Sequence, residues 1–590
     1  MSGQDCSQPK AGVLGIHDGH NATAALVSEG VVRMVLQEER LTRTKNQGDA
    51  PRGAVESALA LAARIGIADL RVALNGYYMN YGQWERETVV ADYERSCGWS
   101  ARLKQPLKNT LVDRYYQKHK ARIRSAELKR AGISGTFEPV EHHLAHAAAA
   151  YFTSPWVADT GKTLVFTCDG SGDRLSATVS IGENSALSRL AEISEHDSLG
   201  RLYALVTRHL GLVPLEHEYK VMGLAPYASH SQGAAAAARS FEQLFEFPTV
   251  GGKPSRSLAW HRRKSVPSMY SGLGFLRNLL AGQRFDWIAA GLQRFTEQML
   301  TTWVRNAVRE TGIRRIACGG GVFMNVKANL AVLELPEVDE MHVSPSCGDE
   351  SNSIGAACWL AAQNGQKMKP LRAIYFGEAI TDAEAEEALD RAASIAGARR
   401  QRGFHWRWVR DIESFTAAKL AEGNIVARAA GAMEFGARAL GNRSILARAD
   451  SPSAARTINA MVKNRDFWLP FAPSVLADRS GQYYNKPKPV QSPYMMFAFR
   501  ARPDSQASFM AAQHPYDATT RPHEVVAEHN PSYFRLLKEY EARTGDGIVL
   551  NTSFNLHGEP IVYRAADAVD VFLRSGLECM ALSNWWVEKG

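Results

Sequence analysis

Val13-Leu14-Gly15-Ile16-His17-Asp18-Gly19-His20-Asn21-Ala22-Thr23-Ala24-Ala25-Leu26-Val27-Ser28-Glu29-Gly30-Val31 opens on a short apolar strand and breaks at a polar turn, His17–Asn21. It resumes as Ala22–Val27, then reverses at Ser28-Glu29-Gly30 into a third strand, Val31–Leu36. Apolar runs bounded by Gly, Asp and Asn read as strands joined by tight turns. The same order recurs at Leu164–Asp169, Gly170-Ser171-Gly172-Asp173, Ser176–Ile181 and Gly182-Glu183-Asn184. A strand, acidic turn, strand, turn unit met twice predicts a duplicated α/β domain.

Such a duplication is typical of the actin-like ATPase and sugar-kinase superfamily, whose two halves hold a nucleotide between them. Ala54–Ile65, Phe285–Arg309 and Ser353–Gln363 carry helical spacing. Ile316-Ala317-Cys318 is a strand entering Gly319-Gly320-Gly321, and Val343-Ser344-Pro345 is a strand end before Asp349. A basic, Pro-containing break at Gln366–Pro370 marks a domain boundary, and strands and helices alternate again beyond it.

His142 and His146 lie four apart in Glu141-His142-His143-Leu144-Ala145-His146-Ala147, so on a helix both imidazoles face one ion. A histidine that caps a helix or sits in a core fits the spacing as well. Asp349 and Asp169 would add carboxylates, and such a mixed set suits a first-row divalent ion better than structural zinc. Gly319, Gly320 and Gly321, followed by Asn325, let the backbone approach ribose or phosphate, or simply pack two elements. Arg438 and Arg443 in Gly436–Ser444 form an oxyanion clamp, or arginines on a solvated helix. Lys463 and Arg465 would add charge. His514–Arg521, and Ser553 within Asn551–Asn555, offer phosphate or amide contacts, or a capping turn. His20 can act as a general base toward a hydroxyl, or bond within its own turn.

With 590 residues, two or more domains are expected. Hydrophobic content of 45% and charged content of 22% are ordinary for a soluble globular protein. Met1–Lys10 is polar, and neither a secretory signal nor a membrane span is expected. Seven cysteines without a CxxC pair point to a reducing cytoplasm and away from zinc ribbons. A net charge of +8 helps to recruit anionic small molecules, but with no dense basic stripe it calls for no nucleic acid.

The blocks GIHDGHNATAAL, EERLTR, EHHLAHAAAAY, DGSGD, EYKVMGLAPYA, GGGVFMNVKAN, SPSCGDES, EFGARALGNRSILA, FAPSVL and NTSFN span nearly the whole chain. Together they resemble the carbamoyltransferase family of antibiotic-tailoring O-carbamoyltransferases and nodulation carbamoyltransferases. The resemblance implies residues 1–368 as a domain like the actin-like tRNA threonylcarbamoyl-transfer protein, and 369–590 as a YrdC-like α/β domain. It implies that carbamoyl phosphate and Mg-bound ATP form carbamoyl adenylate. The carbamoyl group then passes to a hydroxyl of a small-molecule natural product of secondary metabolism. By position, Arg438, Lys463, Arg521 and Ser553 handle carbamoyl phosphate, and His20 serves the acceptor. His142, His146, Asp349 and Asp169 hold iron, manganese or zinc. Gly319, Gly320, Gly321, Asn325, Asp169 and Lys220 face the nucleotide, Lys220 without a stated role.

The chain departs from that pattern in two places. Leu469-Pro470 stands where the family has arginine before proline, so one phosphate-binding cation is missing and Arg465 is a candidate to compensate. His514-Pro515-Tyr516-Asp517-Ala518-Thr519 is one step from the usual histidine, aspartate, glycine, threonine run. The alternatives are a tRNA threonylcarbamoyladenosine-type fusion, which would carry a basic stripe, and a hydrogenase-maturation carbamoyltransferase, which would carry CxxC motifs. A non-catalytic nucleotide-binding scaffold is the third, kept open by Leu469. Tyr77–Arg130, rich in Tyr, Trp and Arg, is expected to shape the acceptor pocket. Oligomeric state is open, a homodimer being one option.

Overall fold

Two five-stranded sheets repeat one plan. In the first, β1 (Lys10–His17) pairs antiparallel with β2 (Thr23–Ser28) and parallel with β4 (Ile67–Asn75). The meander continues through β3 (Val31–Gln37), and β5 (Phe137–Pro139) extends the parallel side. In the second, β6 (Thr163–Gly172), β7 (Leu175–Glu183) and β8 (Ala186–Ser194) form the meander. There β9 (Arg315–Gly319) and β10 (Glu340–Val343) run parallel to β6. The orders are β3-β2-β1-β4-β5 and β8-β7-β6-β9-β10, so the duplication read from the turns holds through all five strands.

This computed structural model describes residues 10–75, 86–95, 137–250, 253–254, 257–399, 403–463 and 466–590, with 122, 124, 126, 129 and 130. Residues 1–9, Arg465 and most of Tyr77–Arg130 lie outside the described residues.

The helices that matter to the site are α1 (Arg52–Arg64), α2 (Arg86–Arg95), α3 (His142–Phe152), α4 (Leu199–His209), α5 (Glu218–Leu224), α6 (Phe285–Thr311), α7 (Val326–Leu333) and α8 (Asn352–Gln363). Helix α8 lies on β1, β2 and β4, and α3 lies on β6, β7 and β9. These two helices join the sheets back to back. Their alanine faces allow it: a Cβ on Gly355 of α8 would fall 1.8 Å from the Ala145 carbonyl oxygen.

One turn differs from its sequence reading. β6 runs on to Gly172, which pairs with Leu175 after a register break beyond Cys168. The reversal is Asp173-Arg174, at φ of 48° and 70°, as two-residue hairpins of this twist require. Asp169-Gly170-Ser171 is therefore a bulge, which lifts Asp169 out of the ladder.

The C-terminal part is built on an eight-stranded mixed sheet. Its strands in spatial order are Phe404–Trp408, Trp585–Lys589, Cys579–Leu582, Val426–Ala429, Arg443–Arg448, Ile548–Ser553, Ala472–Leu476 and His523–Val525. Helices Ile412–Ala421 and Pro531–Thr544 pack together against it. The chain leaves the first part after α8, and the first strand of the second, Tyr375–Ile380, pairs with Gly431–Glu434. Among the described residues no helix is long and apolar enough to cross a membrane.

Candidate functional site

Helix α3 starts where it does because Glu141 caps it. The Glu141 carboxylate accepts from the His143 and Leu144 amides at 3.0 and 2.7 Å. His142 and His146 then face the same way, with Nε2 atoms 3.1 Å apart. Asp349 Oδ1, in the loop after β10, is 3.5 Å from the first and 3.3 Å from the second. Asp169 Oδ2, from the bulge, is 3.4 Å from His142 Nε2. All four ligand atoms lie within 4.8 Å of one another. Two donors at about 2.1 Å from one ion, about 90–110° apart, are separated by about 3.0–3.4 Å, close to the four separations given, so these residues could hold a first-row divalent ion.

The electrostatics agree. Burial lowers the His142 pKa, but Asp349 and then Asp169 outweigh it and hold the imidazole up to about 9. Asp349 is itself held far below the usual carboxylate range: burial opposes this, and the histidines prevail. Asp349 Oδ1 is buried without a hydrogen bond, as are the Nδ1 atoms of both histidines. The pocket favours a cation, whether proton or metal. His143, beside them, is pushed down by burial and bonds Thr167 Oγ1 at 2.8 Å, a core histidine.

The glycine triplet serves this cluster. A Cβ on Gly319 would meet the His146 carbonyl at 2.7 Å, and one on Gly320 the Cys168 carbonyl at 2.4 Å. The Gly320 amide donates to the Cys347 carbonyl at 2.9 Å, and the Gly321 amide to Asp169 Oδ1 at 2.8 Å. Those two amides are spent within the protein, so the packing alternative is what these contacts display. Asn325 caps α7, accepting from the Ala328 amide at 3.0 Å, and exchanges two hydrogen bonds with Gln293 of α6. Lys220, buried on α5, pairs with Asp466 of the C-terminal part at 2.9 Å.

A cavity of about 290 Å³ lies between the two parts of the chain. Arg438, Lys463, Arg521 and Ser553 all line it. The opposite wall includes Gln37, Arg40, Lys45, Met222, Lys327 and Glu350 of the N-terminal part. Lys463 is buried, and its Nζ donates to Ser553 O (2.5 Å), Ser553 Oγ (3.1 Å) and Asn555 Oδ1 (2.7 Å). Arg443, read with Arg438 as a clamp, is instead fully buried and bonds carbonyls of Ala430, Gly431 and Tyr563. It braces the strand while Arg438 faces the cavity. Leu469 also lines the cavity, and a Cβ on Gly223 of α5 would come within 2.9 Å of it. His514 reaches the same helix, its Nε2 2.8 Å from the Gly223 carbonyl. Ala518, standing in the glycine position, is held at φ 51°.

The two sites are joined by contacts the sequence did not announce. The Ala437 amide donates to Ser346 Oγ at 3.1 Å, which ties the Arg438 loop to the loop carrying Asp349. Arg40 donates to the Gly436 carbonyl at 2.7 Å, and Arg43 to the Pro560 carbonyl at 2.9 Å. His20 is half-buried in the turn after β1, where its carbonyl lies 3.1 Å from His17 Nε2. Burial pushes its imidazole down, against the pull of Asp349. It does not line the cavity, although Asn21 does.

A duplicated α/β domain with an imidazole–carboxylate cluster, joined to a second α/β part across a cation-lined cavity, is the class of protein these features define. The family description "Carbamoyltransferase N-terminus" matches residues 12–358, and "Carbamoyltransferase C-terminus" matches residues 417–589. The chain belongs to this family, and it is a carbamoyltransferase. It is 31% identical over 578 residues to the nodulation protein NolNO of Sinorhizobium fredii, covering 97% of this chain and 79% of that protein. It is 32% identical over 454 residues to the nodulation protein NolO of Bradyrhizobium diazoefficiens, covering 76% of this chain and 79% of that protein. Among solved structures, HypF in its phosphate- and nucleotide-bound form aligns with a TM-score of 0.31 at 14% identity, over 60% of this chain and 56% of that one. A ROK family glucokinase from Streptomyces griseus aligns with a TM-score of 0.27 at 14% identity, over 60% of this chain and 99% of that one.

Proposed function

We propose that this carbamoyltransferase is an ATP-dependent O-carbamoyltransferase working in two half-reactions, with a small-molecule natural product as acceptor. Residues 369–590 act as a YrdC-like adenylate-forming domain, and 1–368 as the transfer domain. Carbamoyl phosphate loses its phosphoryl group to water as phosphate. The carbamate oxygen then attacks the α-phosphorus of Mg-bound ATP, and pyrophosphate leaves. In the second half-reaction an acceptor hydroxyl attacks the carbamoyl carbon and AMP leaves.

The observation that carries this reading is convergence. Arg438, Lys463, Arg521 and Ser553, far apart in sequence, line one cavity. Three cations and a hydroxyl suit a phosphate and the negative charge that develops as it leaves. His20, kept neutral by burial, is available to take the acceptor's proton. His142, His146, Asp349 and Asp169 would hold iron, manganese or zinc, which supplies positive charge beside the adenylate phosphate. A cavity closed by both parts of the chain limits hydrolysis of the mixed anhydride.

The test is pyrophosphate release from ATP by purified, metal-loaded protein, with and without carbamoyl phosphate. Release that requires carbamoyl phosphate is expected, accompanied by phosphate. Its absence would mean that the donor differs or that the acceptor must bind first, and the assignment of the C-terminal part would fall.

A further inference from the structure

Helix α4 begins against the loop that carries the Asp169 ligand. Ser198 Oγ donates to the Gly170 carbonyl at 2.6 Å and accepts from the Arg201 amide at 2.9 Å. A Cβ on Gly200 would fall 2.6 Å from the Asp169 carbonyl oxygen. Arg201 therefore projects its side chain from one residue beyond that contact. Its guanidinium carbon lies 3.9 Å from the centroid of the Tyr270 ring and 4.9 Å from that of Tyr93. Tyr270 is fixed in turn, its hydroxyl bonding Ser171 Oγ at 2.6 Å and Glu195 Oε2 at 3.0 Å.

Arg201 differs from the arginines around it. Arg208 and Arg277 both hold Glu94, and Arg262 holds Asp197. Among the described residues Arg201 makes one hydrogen bond, from Nε to the Met269 carbonyl at 3.3 Å, and no ion pair. The guanidinium lies over two rings, and its Nη groups have no hydrogen-bond partner among the described residues. Its Nη edges keep the fork geometry that matches a planar carboxylate.

We infer that Arg201 is an acceptor-binding residue, and that the acceptor is a hydroxyl compound bearing a carboxylate. This rests on the transfer reading given above. Tyr93, on α2, belongs to the segment expected to shape the acceptor pocket. Arg124, further along it, donates to Asp18 Oδ2 at 2.6 Å, in the turn that carries His20. The described pieces of that segment thus touch both Arg201 and the His20 turn. A single guanidinium, with the Glu195 carboxylate on the Tyr270 hydroxyl beside it, suits a monoanion. A phosphate dianion would bring a second negative charge toward that carboxylate.

The test uses matched probes: D-glucuronate, its methyl ester, D-glucose and D-glucose 6-phosphate, titrated by calorimetry into the metal-loaded full chain. Glucuronate is expected to bind at least about tenfold tighter than glucose and the ester, the worth of a charge-assisted hydrogen bond. Arg201→Met, which keeps the length of the side chain between the rings, should erase that preference. Arg201→Lys should retain part of it. If Arg201→Met fails to fold, a glucuronate preference in Arg201→Lys equal to that of the unchanged protein overturns the inference. So does the absence of any carboxylate preference, one that survives Arg201→Met, or a stronger Arg201-dependent preference for the 6-phosphate. Carbamoyl-phosphate-dependent pyrophosphate release by the unchanged protein, run in parallel, shows separately whether the underlying transfer reading stands.

Discussion

Replacing Gly172 with alanine tests whether His142 is held in place for a metal. The added Cβ would stand 2.1 Å from His142 Cγ, 2.2 Å from Cδ2 and 2.6 Å from Cβ. Ordinary carbon contacts are about 3.5–4.0 Å, so the ring must retreat by more than about 1 Å. It is buried against His143 and His146, with centroids 5.3 and 4.7 Å away, so it cannot retreat without turning. Metal–ligand distances tolerate about 0.2 Å. Losing one ligand's geometry should weaken metal binding by at least about 100-fold, or about 2.7 kcal/mol. Overpacking adds about 1–3 kcal/mol of instability in the metal-free protein. Gly170, two residues earlier in the adjoining bulge, is the control, since a Cβ there meets nothing within 4 Å. Chelator-competition titration with Fe, Mn and Zn measures affinity, and thermal unfolding with and without metal measures the linked stabilisation. Gly170→Ala should stay within about twofold of the parent protein. A Gly172→Ala protein that binds metal as tightly as Gly170→Ala would refute the reasoning.

Three further outcomes follow from the geometry. Ala518→Gly relieves a φ of 51° that costs a non-glycine residue about 1–2 kcal/mol, less about 0.4–1 kcal/mol of unfolded-state entropy. Urea unfolding should show a neutral effect to about 1 kcal/mol of gain; a clear loss would contradict the backbone reading. His523 is buried and pushed down to about 3, while the unfolded chain titrates near 6.5. The unfolded state takes up its proton first as pH falls, so stability drops by up to about 1.4 kcal/mol per pH unit from about 6.5 toward 3. His523→Asn should flatten that slope in urea unfolding at pH 7 and pH 5, and an unchanged slope would assign it to other groups. Leu469→Arg puts a cation on the cavity wall, and the KM for carbamoyl phosphate in pyrophosphate release should fall about tenfold. An unchanged KM would mean that position 469 does not face the phosphate.

The strands and the duplicated order were legible because period-two runs and Gly/Asp turns are local signals. The α3 histidines were legible for the same reason. What the sequence could not express was which loops meet. The Gly172–Leu175 pairing depends on the register with β7, so the reversal moved to Asp173-Arg174. The glycine triplet announced that something approaches closely, but not that it is the His146 and Cys168 carbonyls. Arg443 resembled Arg438 in sequence, yet its strand register turns it into the core. Arg201 had no signal, because its stacking partners Tyr93 and Tyr270 are brought together only by the fold.

The block EYKVMGLAPYA shows what the unassigned motifs do. Nothing in it looks catalytic, and its lysine points to Asp466, outside its own domain. The Trp468 indole donates to the Lys220 carbonyl at 3.1 Å, His514 lies on the Gly223 carbonyl, and Leu469 occupies the space that a Cβ on Gly223 would need. Helix α5 is thus gripped by the stretch that follows Lys463 and by the turn before Arg521, two segments that also line the cavity. EERLTR does the same from the other side through Arg40 and Arg43. Fixing the two parts of the chain fixes the cavity's opposite walls, and a cavity that must hold charged groups to within a fraction of an ångström needs both. On the proposed mechanism these blocks therefore belong to the reaction without touching its atoms, since loosening α5 would open the donor site to water. On the same mechanism Leu469 is more than a missing cation: its side chain is part of the α5 contact, so leucine gives up a phosphate ligand and gains closure.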